Sequence, residues 1–292
     1  MQLVFIHQQS GSAYFDRCFS LLSNFAEDIS CKVQPIFIVV DNRVSETVVS
    51  GGVHLIPSEN IYREFSGWET ALNYVRNNLK IQNMNLVLSN DTVLRHRAFD
   101  QAGYRSFLAG FQLIFNDVEP ALCGDIDLIP CLSPYYSSSS VAEYASTYLC
   151  ALNNSALKKL TSFIPEEDVF SYMENKINES SVLKVSTSLY KSNYGNYLEG
   201  QLYLKNKENK YPWYGFEKLN ENNYRKLQLK LLSIIIEHNI SQKLSELGVK
   251  FVDVKKMIYR NNFEKITYRI LRIKYSISWR LTRYLRLIGL TR

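Results

Sequence analysis

Residues 85–91 read NLVLSND and form the fourth strand-like run along the chain. Its apolar run, 86–88, is typical of a buried strand and stops abruptly at the polar residues Ser89, Asn90 and Asp91. An Asn-Asp pair in this position can simply close the strand as an Asx turn. In an open α/β sheet it can also present a carboxylate to a ligand, because ligands bind beyond the carboxyl ends of the strands. The elements on either side show whether such a sheet is expected, and both interpretations of the pair stay open.

Three strand-like runs precede this one along the chain. They are LVFI at 3–6, IFIVVDN at 36–42 and VHLIPSEN at 53–60. Between them, apolar residues recur at steps of three and four over 13–29 and 68–79, which predicts two amphipathic helices, the second capped by Ser66. Strands that alternate with helices predict an α/β fold with a Rossmann-like, mostly parallel sheet flanked by helices.

A parallel sheet of this kind brings polar strand ends together. The three ends are Asp41-Asn42, Ser58-Glu59-Asn60 and Asn90-Asp91. Because the carboxyl ends of parallel strands meet at one edge, we expect all three along the same rim. The rim is therefore the predicted ligand site.

The second half of the chain shows fewer regular patterns. Residues 141–160 have a strand-then-helix pattern, and 224–247 have the apolar spacing of a long helix. Gly248 is a natural C-terminal cap for that helix, and VKFVDV at 249–254 predicts a short strand after it. The serine-rich stretch 135–140 is typical of a loop.

Composition excludes several classes of protein. No stretch approaches the roughly 20 uninterrupted apolar residues of a membrane span. The N-terminus has neither the basic region nor the small-residue cleavage site of a signal peptide. The five cysteines include no CxxC pair, which favours reduced thiols in a cytosolic protein over disulfides or structural zinc.

Positive charge is concentrated at the C-terminus. Residues 255–292 hold eleven Lys or Arg and one acid, Glu264, so this tail carries +10, whereas residues 1–254 carry −4 of the net +6. Its apolar residues recur at helical spacing, which predicts a basic amphipathic helix lying in an anionic membrane surface. The alternatives are a basic-faced helix packed on the globule and a nucleic-acid contact. We expect no nucleic-acid partner, because no binding motif accompanies the charge.

Asp91 is the candidate metal ligand. A hard cation such as Mg²⁺ or Mn²⁺ is typically held by one or two carboxylates together with phosphate oxygens of the substrate. An acid at the end of a central strand, beside a bound diphosphate, meets that requirement. Asn90 can then bond a ribose or phosphate oxygen or orient Asp91. Asp41 can accept from a nucleobase or ribose, although a lone acid at a strand end is also a common turn residue.

The stretch SENIYREFSGWE, residues 58–69, supplies further candidate contacts to a phosphate-bearing ligand. Gly67 lies at the predicted helix entrance, where free backbone N–H groups favour anions. Arg63 can pair with a phosphate. Glu59 belongs to the polar end of the third strand and completes this set.

Three acidic groups downstream are candidates for a general base, which must lie within hydrogen-bond reach of the proton it takes. They are Asp125 and Asp127, the cluster 166–168, and Glu237. The cluster 166–168 resembles the acidic first turn of a solvated helix. Glu237 follows a run of isoleucines, so it is less easily explained as a surface residue.

The order of these motifs resembles bacterial GT-A glycosyltransferases of the family 2 type, and more closely enzymes that build O-antigen, capsule or rhamnan-type polysaccharides. The resemblance is carried by IFIVVDN, SENIYREFSGWETAL, LVLSNDTVL and STYLCALNNSALKKL. It implies a GT-A-like domain over 1–254, with a donor half at about 1–120 and an acceptor half at about 121–254. The basic helical segment 255–292 follows that domain.

The resemblance also implies site residues. The family's acidic metal signature falls on 89–91, and its donor-site Asp falls on Asp41. Its catalytic-base region resembles EHNISQKLSELGVKFV, residues 237–252, with Glu237 leading.

Two departures from the family pattern matter. The two acids of the metal signature are reduced to Asp91, and His238 stands where a second acid of the base region is expected. The base therefore stays open between Glu237 and Asp125.

The implied activity is transfer of a sugar from a nucleotide-sugar donor to a hydroxyl of a lipid-linked glycan, assisted by a divalent cation, Mg²⁺ or Mn²⁺. The implied location is cytoplasmic, peripheral on the inner face of the cell membrane. One alternative is a non-catalytic scaffold of a polysaccharide assembly complex, which would keep the fold without a working cation site. Another is a sugar nucleotidyltransferase, although HQQSGSAYFDR at 7–17 lacks the Gly-rich basic loop expected after its first strand.

Overall fold

The computed structural model of the chain describes residues 1–9, 15–29, 34–59, 61–96, 99–129, 142–164 and 221–258. Strands in these ranges are β1 Gln2–Gln9, β2 Ile36–Asp41, β3 Val48–Ser50, β4 Val53–Pro57, β5 Met84–Asn90, β6 Ala121–Ile129, β7 Ala142–Leu152 and β8 Lys250–Asp253. Helices are α1 Phe15–Asp28, α2 Glu64–Asn77, α3 Val93–His96, α4 Gln101–Phe115, α5 Asn154–Lys159, α6 Glu221–Glu246 and α7 Lys255–Ile258.

The eight strands form one mixed sheet in the order β3-β4-β2-β1-β5-β7-β6-β8. Strands β1, β2, β4 and β5 are parallel to one another, and β8 is parallel to β6. Strand β7 runs antiparallel between β5 and β6, and β3 is an antiparallel edge strand. The prediction of an α/β fold with a largely parallel sheet flanked by helices is therefore confirmed, with β7 and β3 as the antiparallel strands.

Helices cover both faces of the sheet, and side-chain alternation along each strand divides the core in two. Val4 and Ile6 of β1 pack with α2, α5 and α6, on what we call the α2 face. Leu3 and Phe5 of the same strand pack with α1 and α4, on what we call the α1 face. This alternation determines on which face of the sheet the side chain of each strand-end residue lies.

Most predicted elements are present, with one boundary corrected. The helix expected to begin after Ser66 begins at Glu64, with Arg63 as its N-terminal flanking residue. Ser66 is not the cap: it lies inside the helix, and its hydroxyl accepts a hydrogen bond of 2.8 Å from the backbone N–H of Tyr62. The cap at Gly248 is confirmed by its left-handed φ of 71°.

Strand β7 carries an irregularity that shapes the site. Gly124 of β6 pairs with Cys150, whereas Ile126 pairs with Ala145. Residues 146–149 of β7 therefore stand opposite Asp125 alone. A bulge of this kind frees backbone groups from the ladder and re-aims side chains.

The described chain ends in α7, so only the first residues of the predicted basic tail are visible. The rest of that segment, 259–292, lies outside the described residues, as do the acidic cluster 166–168 and the serine-rich loop. Within the described ranges no helix has both the length and the apolar character needed to cross a bilayer. The three described cysteines, Cys18, Cys123 and Cys150, are buried free thiols.

Candidate functional site

The sheet has a topological switch point between β1 and β5. From β1 the chain moves outward to β2 and β4, then returns across β1 to form β5 on its other side. The registers pair Gln9 with Asp41 and Gln8 with Asn90, so these strand ends lie on one edge as expected. In open α/β sheets the crevice at such a point is where ligands bind.

Buried polar side chains line this switch point. His7 and Gln8 are 1% and 4% exposed, and Ser89 and Asn90 beside them are also buried. The Nδ1 atom of His7 lies 2.9 Å from the Ser89 hydroxyl. Among the described residues, His7 Nε2 and Gln8 Oε1 have no hydrogen-bond partner. Buried polar atoms usually have partners, so their concentration here is unusual for a core.

These residues of β1 were not predicted as site residues from the sequence. The signal was present, because the apolar run 3–6 ends in His7, Gln8 and Gln9 just as the run 86–88 ends in polar residues. The first stretch alone predicts only a strand.

Asn90 forms an Asx turn. Its Oδ1 accepts from the backbone N–H of Thr92 at 3.0 Å and from the Thr92 hydroxyl at 2.5 Å. Its Nδ2 donates to the carbonyl of Thr147 at 3.4 Å, across to the bulge of β7. Asn90 therefore closes the strand and also ties it to β7.

Asp91 follows the end of β5, and its backbone N–H donates to the carbonyl of Gln8 at 3.2 Å. The charge of its carboxylate affects the pKa values of two residues on the α1 face, Cys18 and His7. It raises the pKa of Cys18, after the larger effect of burial, and it partly opposes the burial that lowers the pKa of His7 to about 4. His7 is therefore neutral near pH 7, with Asp91 as the charged group beside it.

The donor set around Asp91 fits a cation held mainly by substrate. Asp91 is partly exposed and offers one carboxylate, whereas the Oδ1 of Asn90 is already engaged by Thr92. Across the described part of the chain, no group of three or more His, Cys, Asp or Glu side chains is arranged to hold a metal ion. A single carboxylate suits Mg²⁺ or Mn²⁺ only when phosphate oxygens and waters complete the coordination.

Asp41 is engaged by its neighbour Arg43. The Arg43 guanidinium donates to both carboxylate oxygens, at 2.9 Å and 2.6 Å, and the Arg43 backbone N–H donates at 2.9 Å. These bonds hold the pKa of Asp41 below its ordinary value. The turn interpretation therefore accounts for Asp41 without a ligand.

Glu59, Arg63 and Gly67 occupy different environments. Glu59 is exposed. Arg63 has a left-handed φ of 53° at the entrance to α2, a strained conformation for a residue with a side chain. Gly67 lies buried against Gln8, and a Cβ added to Gly67 would stand 1.6 Å from Gln8 Oε1. A packing requirement therefore explains Gly67.

Glu237 of α6 reaches the bulge of β7. Both the backbone N–H and the hydroxyl of Thr147 donate to Glu237 Oε1, at 2.7 Å and 2.8 Å. One helical turn later, the Ser241 hydroxyl accepts from the backbone N–H of Ala145 at 3.2 Å. Helix α6 thus supplies acceptors to β7 where the ladder with β6 is interrupted.

Burial raises the pKa of Glu237 from 4.5 to about 7. The Lys230 ammonium and the two bonds from Thr147 oppose this effect, and the negative charge of Glu64 adds to it. Glu64 is the first residue of α2, and its Oε1 lies 3.4 Å from the Thr147 hydroxyl. Glu237 can therefore gain and lose a proton near neutral pH, which is the property that a general base requires.

Asp125, the other candidate base, lies in an ion-pair cluster. Its Oδ1 is 2.5 Å from the Lys255 ammonium, and its Oδ2 accepts from the Tyr148 hydroxyl at 2.7 Å. The same ammonium lies 2.5 Å from Asp127 Oδ1. Tyr148 belongs to the core of the α1 face. Asp125 therefore has a cation as its partner, whereas Glu237 has neutral donors.

The predicted site residues thus lie at several places along the sheet edge. Asn90 and Glu237 belong to the α2 face and both contact Thr147, and Gly67 on the same face packs against Gln8. The residues toward the α1 face are Asp91 and Asp125. Arg63 lies at the entrance to α2, and Asp41 and Glu59 lie toward the β4 side of the edge. Thr147 and Glu64 were not identified from sequence. The early acidic residue of α2 was the available signal for Glu64, whereas no sequence pattern marks Thr147 as the residue in the bulge.

Comparison of the chain with protein-family models, with curated proteins and with solved structures finds no match. The resemblance to GT-A glycosyltransferases stays a prediction based on the sequence.

Proposed function

We propose that the chain is a GT-A-like glycosyltransferase. It transfers a sugar from a nucleotide-sugar donor to a hydroxyl of a lipid-linked glycan, in the synthesis of a surface polysaccharide. The donor binds at the switch point between β1 and β5, where polar strand ends meet.

One observation carries the proposal. A carboxyl group with a pKa of about 7, that of Glu237, contacts Thr147, whose carbonyl accepts from Asn90 at the end of β5. A titratable acid therefore stands beside the crevice in which open α/β sheets bind ligands. That combination favours proton-transfer chemistry over a purely structural role.

The ionised carboxylate of Glu237 takes the proton of the acceptor hydroxyl, and the hydroxyl oxygen forms a bond to the anomeric carbon of the donor sugar. The bond from that carbon to the phosphate oxygen breaks, and the nucleoside diphosphate leaves with the electron pair. Asp91 would hold the divalent cation, whose chemistry is to stabilise negative charge on the leaving diphosphate.

Glu237 suits the role of base better than Asp125. The Lys255 ammonium lies 2.5 Å from the Asp125 carboxylate, so that group is already held in an ion pair. Glu237 has no comparable ion pair among the described residues, and its raised pKa makes it a stronger base.

The positive charge of the C-terminal tail is the basis for the proposed acceptor and location. The tail, residues 255–292, carries +10, and an anionic membrane surface attracts such a segment. A lipid-linked glycan presents its hydroxyls at such a surface. We therefore propose a peripheral position on the cytoplasmic face of the membrane.

The test is an assay of the purified full chain with UDP-, GDP- and dTDP-sugars, with and without Mn²⁺, in the presence of a lipid-linked oligosaccharide. We expect release of a nucleoside diphosphate that depends on the acceptor and falls by at least 100-fold in Asp91→Ala and in Glu237→Gln. Glu246→Gln, on the exposed end of the same helix, should retain full activity.

Other outcomes identify the alternatives. Binding of donor without turnover, under all metal conditions, would support the scaffold and contradict the transferase. Formation of pyrophosphate from a nucleoside triphosphate and a sugar phosphate would indicate a nucleotidyltransferase instead. Unchanged turnover in Asp91→Ala would eliminate the metal role.

A further inference from the structure

Three side chains from three separate elements converge beside the sheet edge. Glu64 begins α2, Thr147 lies in the bulge of β7, and Glu237 belongs to α6. The Thr147 hydroxyl is 2.8 Å from Glu237 Oε1 and 3.4 Å from Glu64 Oε1. The two carboxylate oxygens therefore lie within about 6 Å of each other, the range in which like charges influence one another's ionisation.

A single hydroxyl has one proton to donate, so it can serve only one of these two carboxylates at a time. The backbone N–H of Thr147 donates to Glu237 Oε1 in either case. The hydroxyl is consequently the only part of Thr147 that is able to change partner. Its two acceptors differ in distance by little more than half an ångström.

We propose that Glu64 is a positioning residue for Glu237 and that the Thr147 hydroxyl links the two carboxyl groups. The hydroxyl donates to Glu237 while Glu237 is ionised. When Glu237 accepts a proton, the hydroxyl rotates and donates to Glu64 instead. No proton moves along the hydroxyl; only its orientation changes.

This arrangement favours the protonated form of Glu237 in two ways. The negative charge of Glu64 disfavours a second charge nearby, and Glu64 gains a hydrogen bond once Glu237 becomes neutral. The Lys230 ammonium also acts on this carboxyl and favours its ionised form. The thiol of Cys150 stays protonated near pH 7, because burial and then the charge of Glu237 raise its pKa to about 12. The adjacent His238 is neutral near pH 7, because burial lowers its pKa to about 3.

The catalytic consequence rests on the proposed function, whereas the link between the two carboxyl groups does not. If Glu237 takes the acceptor's proton, Glu64 stabilises the state that results. A direct titration separates the two claims, because the titration requires no turnover.

The experiment is a pH titration of the full chain labelled with ¹³C at the glutamate carboxyl carbons, with Glu237→Gln to assign the signal. We expect a midpoint near 7 for Glu237. In Glu64→Gln the midpoint should fall by about one pH unit, and in Glu64→Asp it should recover most of that shift. An unchanged midpoint in Glu64→Gln would overturn the proposal.

Thr147→Val tests the role of the hydroxyl, because valine keeps the shape and the backbone N–H. In this background the shift caused by Glu64→Gln should shrink to less than half of its original size. An undiminished shift would mean that the two carboxyl groups interact only through space, which would refute the linking role. Glu246→Gln, exposed on the same helix, is the control and should leave the midpoint unchanged.

Activity provides a second readout. If the chain is a transferase, the acidic limb of its pH profile for kcat should move down by about one unit in Glu64→Gln and return in Glu64→Asp. Should no transferase activity be found, the proposed function fails, and the titration still decides whether the two carboxyl groups are linked.

Discussion

Gly67 lies directly over the side chain of Gln8. A Cβ built on Gly67 would stand 1.6 Å from Gln8 Oε1, which is far closer than any real contact. With Gln8 in this conformation, the close approach of helix α2 to the end of β1 requires a residue without a side chain at position 67. This close approach brings the first turn of α2, with Glu64, to the edge of the sheet.

The first prediction concerns this contact. Gly67→Ala should lower the free energy of unfolding by about 1–3 kcal/mol, because the new methyl group forces Gln8 or the helix to move. The sign of this change is informative. Inside a helix Ala is about 1 kcal/mol more favourable than Gly when nothing obstructs it, so a loss of stability would show that the new methyl group is obstructed. Urea unfolding followed by circular dichroism measures the change.

Gln8→Ala supplies the control through a double-mutant cycle. With Gln8 shortened, Gly67→Ala should cost little or become stabilising, so the two changes should be strongly non-additive. Additive effects would mean that Gln8 does not limit the approach of α2.

Much of the fold could be predicted from sequence. Short apolar runs such as LVFI and IFIVVDN, separated by helical spacing, identify β1, β2 and the helix α1 between them. Parallel pairing then places Asp41 and Asn90 at one edge without further information. These features depend on local periodicity, which a single sequence displays directly.

The arrangement of the site could not be predicted in the same way. Whether Thr147 faces α6 depends on a register shift between β6 and β7, and no local pattern records it. Asn90 and Asp91 are neighbours in sequence, yet Asn90 contacts Thr147 while Asp91 influences His7. The resemblance suggested Glu237, but its partner Glu64 is 173 positions away and only the tertiary fold brings the two together.

The second prediction tests the turn interpretation of the Asn-Asp pair. Asn90→Ala should cost about 1–2 kcal/mol of stability, because it removes an acceptor for two donors of Thr92 and leaves the Thr147 carbonyl without its donor. Thr92→Ala should cost less, since the backbone N–H at 92 keeps its bond to Asn90. Thermal unfolding ranks the two variants by stability. Equal stability of Asn90→Ala and the parent chain would disprove the turn role.

The third prediction concerns pH and stability. The pKa of Glu237 rises from 4.5 in the unfolded chain to about 7 in the folded one, so the folded state binds more protons between these values. Its contribution to stability is therefore fully present below about 4.5 and is lost as the pH rises through about 7. Glu237→Gln removes this loss while keeping an oxygen that accepts from Thr147. Relative to the parent chain, the variant should gain about 1–3 kcal/mol between pH 4.5 and 8.

Two buried histidines act in the opposite direction and must be separated from this effect. Burial lowers the pKa of His7 to about 4 and of His238 to about 3, from 6.5 in each case. Their contribution to stability is present above 6.5 and is lost as the pH falls toward those values. Because the parent chain and Glu237→Gln share both histidines, the difference between their urea midpoints across pH isolates Glu237. A flat difference curve for Glu237→Gln would mean that Glu237 ionises at its ordinary pKa. Glu246→Gln, exposed on the same helix, is the matched control for replacing a glutamate.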